Sequence, residues 1–185
     1  SSEIWRRHPE KCLAVSRGWA DRAPQALAAL MDATLAAAQF CDRPGNADLI
    51  AEILGRDCYL AMDVATIRQS LPAEDRLARP NGAQVDRSVF FAGAAAFPWL
   101  SHARWFLDQM TRWGLLPSSA DPATIAQRIY RPDLYRAAAM RAGISAPRAD
   151  SKTEGGHTAD WHMEGVPTDI DMGADPFCDG RVFDF

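Results

Sequence analysis

Apolar residues in this chain recur mostly at intervals of three and four. That spacing constrains the fold more than any single motif, because it selects helices that must each bury one face. Pro24 stands at the first turn of a segment in which Leu27, Leu30, Met31, Leu35 and Ala38 share a face, a place where proline's missing N–H costs nothing. Asn46 reads as the N-cap of a second helix, with Leu49, Ile50, Ile53 and Leu54 on one side and Gly55 as its stop. Asp63 caps a third, in which Val64, Ile67 and Leu71 align. Asp121 and Pro122 open another, Pro132 starts the next and Gly143 ends it. The corner between those two falls at Tyr130 and Arg131, since the residue before a proline is biased out of the helical region.

The stretch "FPWLSHARWFLDQMTRWG", residues 97–114, places Leu100, Ala103, Phe106, Leu107, Met110 and Trp113 on one face and reads as a core helix. Trp99 falls at its start, and Trp105 is the ring that this pattern does not require to be buried. Strands are few: a short one over Cys12 to Val15, before a short helix that follows Ser16, and another in "SVFFAG" at 88–93. The stretch Pro72 to Asp86, with Pro80-Asn81-Gly82, reads as a loop. Beyond Ala146 the chain turns polar and rich in glycine and proline, so it is expected to wrap a surface and not to build core.

With 185 residues, 48% of them hydrophobic, the chain can enclose a sizeable core. Its formal charge of -4 and the absence of any lysine or arginine run leave out the footprint of a nucleic-acid binder. The longest apolar stretch, Ala23 to Cys41, is broken by Pro24, Gln25, Asp32 and Gln39, too early for a membrane span. Four cysteines without a C-x-x-C pair indicate neither a zinc ribbon nor a redox motif and read as buried thiols. An opening at Ser1 with no signal-peptide pattern reads as a fragment with an upstream half elsewhere, and such a fragment is expected to fold poorly alone.

No phosphate-binding glycine loop, G-x-S-x-G elbow or H-E-x-x-H helix occurs, so no enzyme signature stands out. His157, Asp160, His162 and Glu164 lie close together but lack the spacing of a metal site, and Asp169, Asp171 and Asp175 lack the register of a calcium loop. Both groups read as solvated loop residues, with no metal and no cofactor. "WRRHPEK" is more specific: Lys11, ringed by Trp5, Arg6, Arg7 and His8, makes a cationic spot within an acidic chain, which suits a small anion. A solvated turn at Glu10 and Lys11 is the other reading of the same residues.

"HPEKCLAVSRGWADRAPQALAALMDATLAAAQFCDRPGNADLIAEIL", "FPWLSHARWFLDQMTRWG", "YRPDLYRAAAMRAGI" and "FCDGRVFD", in that order, resemble the C-terminal part of the nitrate- and bicarbonate-binding receptors of ABC importers, and their cytoplasmic nitrate- or nitrite-sensing relatives. The resemblance implies a partial α/β periplasmic-binding-protein-like fold of type II, mostly helical in this portion with few short strands. Residues 1–150 would be the return segment and C-terminal helices of the first lobe, and 151–185 an irregular tail on its surface. It implies binding without catalysis of nitrate or nitrite first and bicarbonate second, with Lys11 as the ligand-contacting ammonium and Trp5 and His8 as secondary candidates. Partners would be an ABC permease and ATPase on the outer side of the inner membrane, in the periplasm. A cytoplasmic sensor acting through an antiterminator protein is the alternative setting. An enzyme of the thiamine-precursor-synthesis type is a third reading, disfavoured because no nucleophile or acid–base pair stands out by spacing.

Overall fold

The computed structural model describes residues 3–71 and 88–184; the loop expected over 72–86 lies outside them. The described residues form seven α-helices: α1 (Arg17–Arg22), α2 (Pro24–Cys41), α3 (Ala47–Leu54), α4 (Val64–Ser70), α5 (Leu100–Arg112), α6 (Pro122–Ile129) and α7 (Pro132–Ala142). Four short strands follow: β1 (Ala146–Pro147), β2 (Trp161–Met163), β3 (Gly165–Val166) and β4 (Ile170–Met172). Helices pair as α2 with α7, α3 with α4 and α5 with α6. The strands interleave as two antiparallel pairs, β1 with β3 and β2 with β4.

Most helix boundaries sit where the sequence punctuation puts them. Ser16 Oγ accepts the Trp19 N–H at 3.3 Å, and Asp63 Oδ2 accepts that of Thr66 at 2.8 Å. The Asp121 carboxylate takes the Thr124 hydroxyl at 2.6 Å and the Ala123 and Thr124 amides, and that hydroxyl leads the contacts that hold its acid below the ordinary carboxylate range. Gly143 closes α7 in the left-handed region, φ 66°. Asn46 precedes α3 without capping it; its side-chain amide turns back to donate to Phe40 O at 2.9 Å, serving the end of α2 instead.

Three apolar clusters result. The main one joins Leu35 of α2, Tyr135 and Ala138 of α7, and Phe97 and Trp99 ahead of α5 to Ile170 and Met172 of β4. A second holds Ala47, Ile50 and Ala51 against Ile67 and Leu71, and a third holds Ala103 and Leu107 against Ala126.

Several expectations are corrected. Residues 12–15 are not a strand: Pro9 to Val15 makes no backbone hydrogen bond among the described residues, and a strand needs a neighbour to form a ladder. Nor are residues 88–93, because the N–H groups of Phe90, Phe91 and Ala92 all donate to the Asp42 carboxylate at 2.7, 2.9 and 2.7 Å, wrapping the backbone around one anion. On α5 the buried residues are Ser101, Ala103 and Leu107, whereas Phe106 and Trp113 reach solvent, because α6 covers only the Ala103–Leu107 side. Cys12, Cys58 and Cys178 are exposed thiols and only Cys41 is half-buried, so the buried-thiol expectation fails at three positions that lie in loops. The segment after 150 also does more than wrap a surface, since β4 sends alternate residues, Ile170 and Met172, into the main core.

Candidate functional site

The expected anion-binding residues lie on a segment anchored to the far end of the chain. Trp5 forms an antiparallel bridge with Phe177; the Arg6 N–H donates to Pro176 O at 3.1 Å, and that of Cys178 to Ile4 O at 2.8 Å. The Trp5 side chain is buried, stacked on Phe177 at 4.8 Å, tilted against Trp105 at 5.0 Å and edge-on to His102 at 5.7 Å. Trp105, the ring the helical pattern left over, is therefore half-buried by this aromatic group. Trp5 Nε1–H is buried without an acceptor among the described residues.

Gly155 makes the seat for Phe177. It lies at φ +77°, and any Cβ there would strike the Phe177 ring. Gly155→Ala is expected to lower stability by about 2–4 kcal/mol, combining left-handed strain with overpacking. Chemical denaturation checks it, with Gly45→Ala, where a Cβ would meet nothing, as the control.

The three expected residues are placed differently from one another. Trp5 faces the aromatic group. His8 is half-buried, with Nε2 3.5 Å from Glu10 Oε1. Lys11 is exposed, has no hydrogen-bond or ion-pair partner among the described residues, and lines neither of two shallow grooves of about 200 and 120 Å³. Arg7 takes a left-handed backbone, φ 62°, and its guanidinium lies against Gly173, where a Cβ would collide with it.

Sequence reasoning missed a buried ionic chain next to this segment. Glu154 has a fully buried side chain; one carboxylate oxygen pairs with Lys152 Nζ and the other lies 3.4 Å from His102 Nε2. His102 Nε2 is within reach of that oxygen but is not aligned as a donor, so Glu154 Oε1 has no directional hydrogen bond. Lys152 also reaches Asp175 Oδ2 at 3.1 Å, and Asp175 Oδ1 accepts the His157 amide N–H at 3.1 Å. The His157 ring stacks flat on Trp161 at 3.8 Å. Burial alone would push the Glu154 acid upward, but the His102 imidazole and the Lys152 ammonium outweigh it and hold it below the usual carboxylate range. One signal was available in the sequence: Lys11 and Lys152 are the only lysines in a chain that otherwise uses arginine.

His157, Asp160, His162 and Glu164 do not converge. His162 pairs with Asp171 at the exposed surface at 2.8 Å, Asp160 accepts the Ala174 N–H, and Glu164 pairs with Arg148. No group of three potential metal ligands comes together among the described residues.

An NMT1-like family model matches residues 1–55. Over its whole length the chain is 31% identical to the nitrate/nitrite binding protein NrtA of Synechococcus elongatus, covering 38% of that protein. Over 77% of its length it is 35% identical to the bicarbonate transport ATP-binding protein CmpC of the same species, covering 21% of that protein. The crystal structure of the periplasmic nitrate-binding protein NrtA from Synechocystis PCC 6803 superposes with a TM-score of 0.76 at 26% identity, covering 99% of this chain and 44% of that one. The architecture is thus that of part of a periplasmic-type substrate-binding protein. Within that class the chain is similar over its whole length to nitrate/nitrite binding proteins, and it spans well under half the length of the NrtA proteins it matches.

Proposed function

We propose that this chain is part of the substrate-binding component of an ABC importer for a small planar oxyanion, with nitrate or nitrite ahead of bicarbonate. The observation that carries this reading is the end-to-end similarity to NrtA in both sequence and fold. Lys11 is its ligand-contacting group: an exposed ammonium with no carboxylate of its own offers donors and charge to a monovalent anion. Trp5 and His8 serve the site from behind, anchoring the segment that presents Lys11. The protein binds and releases its ligand without chemistry, in the periplasm, and hands it to a permease driven by an ATP-binding subunit. No helix among the described residues is long and apolar enough to cross a membrane, which is compatible with that setting.

Calorimetric titration of the complete gene product with nitrate, nitrite and bicarbonate tests the reading; no heat with any of the three would remove it. Lys11→Ala is expected to weaken nitrate binding about tenfold to hundredfold, the range of one lost charge-assisted hydrogen bond. A change below threefold would take Lys11 out of the site while leaving the receptor reading intact.

One observation favours a second reading. Most of this chain is also similar to a portion of an ATP-binding protein of a bicarbonate transporter. An anion-sensing role on the cytoplasmic side, addressed to an ATP-binding subunit or to an antiterminator, fits that similarity. Cell fractionation separates the two readings: recovery with the periplasmic contents supports the import receptor, and recovery with the cytoplasm supports the sensor.

A further inference from the structure

Resting on the reading above that the Trp5–Lys11 segment serves anion binding, we propose that Arg7 is a second anion-contacting residue of that site. Its guanidinium fork takes two oxygens of the planar oxyanion that Lys11 neutralises, and so sets a preference for trigonal oxyanions over spherical anions. Arg7 holds a left-handed backbone, φ 62°, a strain that a residue other than glycine keeps only where its surroundings impose it. Two glycines form the seat. The guanidinium lies flush on Gly173, where a Cβ would overlap its Cζ and Nε, and Nη1 stands 3.4 Å from the place of a Cβ on Gly93. Gly173 follows β4 and Gly93 lies in the turn Ala92–Ala94, which packs on that strand, so two joined elements fix one cation.

The fixed cation is exposed, and no carboxylate or carbonyl takes it among the described residues. The acids beside its segment and its seat are engaged elsewhere: Glu10 faces His8 Nε2 at 3.5 Å, and Asp171 pairs with His162 at 2.8 Å. Arg131, Arg136, Arg141 and Arg148, by contrast, each close their forks on an aspartate or glutamate. Lys11 stands four positions on, at most about 14 Å of extended chain. Because Pro9 to Val15 makes no backbone hydrogen bond among the described residues, the ammonium can come to an anion already resting on the guanidinium. Trp5 stays in its bridge to Phe177 throughout. Arg7 thus supplies fixed geometry and Lys11 movable charge.

Calorimetric titration of the complete gene product with nitrate, alone and in competition with chloride, tests this. Arg7→Lys keeps the charge but removes the fork, and is expected to weaken nitrate about tenfold and to reduce the preference over chloride by a similar factor. Gly173→Ala keeps Arg7 but fills its seat, and should weaken nitrate about threefold or more. Arg56→Gln, which removes an exposed arginine from the loop after α3, should stay within about twofold. Arg7→Gly separates binding from structure: glycine adopts φ 62° freely, so the melting temperature should hold or rise while affinity falls at least as far as in Arg7→Lys. Nitrate affinity within about twofold of wild type in Arg7→Lys and Arg7→Gly overturns the proposal and leaves the receptor reading standing. An equal loss in Arg56→Gln overturns it as well, since distant charge would then suffice. No nitrate binding by the wild-type protein would remove that reading and this site together.

Discussion

Glu154→Ala is expected to destabilise the protein by about 3–5 kcal/mol, the range for removing one partner of a buried ion pair. The substitution leaves the Lys152 ammonium, itself nearly enclosed, with Asp175 alone, and it removes the carboxylate that faces His102. It leaves intact the backbone pairing of residue 154, whose N–H donates to Phe183 O at 2.9 Å and whose carbonyl accepts from Phe183 at 2.8 Å, so the loss reports on the side chain. The acid limb of the stability curve gives an independent check. Because the folded-state acid of Glu154 is held below its unfolded value near 4.3, its contribution is complete above that value and disappears as pH falls through the folded one. Thermal melts should therefore be insensitive to this group at neutral pH and lose stability below about pH 4.5. Glu154→Gln should be less stable at pH 7 and show a shallower acid limb, and an unchanged limb would assign the acid sensitivity to other carboxylates.

Asp42→Ala is expected to cost about 2–3 kcal/mol. One carboxylate at the end of α2 accepts three consecutive backbone N–H groups, from Phe90, Phe91 and Ala92. Those bonds do more than satisfy donors. They aim two adjacent phenylalanines at different clusters: Phe90 packs against the α3–α4 core and Phe91 against the main core. Without the carboxylate, the half-buried amides at 90 and 91 lose their acceptor and both rings lose their bearing. Urea denaturation measures the cost, and faster hydrogen exchange at 90–92 locates it. Asp42→Asn keeps an acceptor oxygen and should recover part of the loss, whereas full stability in Asp42→Ala would show that the rings, not the carboxylate, set this turn.

The helices were legible because their signals are local. Pro24, Asp63, Asp121, Pro132 and Gly143 act within one turn of their own positions, and each marks a boundary that the fold keeps. The failures share the opposite property. "SVFFAG" has the composition of a strand, yet its backbone follows an aspartate almost fifty residues earlier. Cys12 to Val15 has the composition of a strand but finds no ladder among the described residues. Asn46 has the capping residue type, and its amide goes to the preceding helix. Apart from the scarcity of lysine, the ionic chain left no trace for the same reason: His102, Lys152 and Asp175 are far apart in sequence, and none forms a motif with its neighbours. In "WRRHPEK" the sequence marks a cationic segment but cannot show that Trp5 turns inward while Lys11 stays in solvent.

The bridge between Trp5 and Phe177 sets an order of events during synthesis. α2 and α3 can begin to form while the ribosome is still reading the message for the middle of the chain, but the Trp5 segment cannot complete its backbone pairing until residues near 177 have left the exit tunnel. Closure of this contact therefore waits for residues near 177, and a premature stop codon before that point leaves the Trp5 segment without its pairing partner.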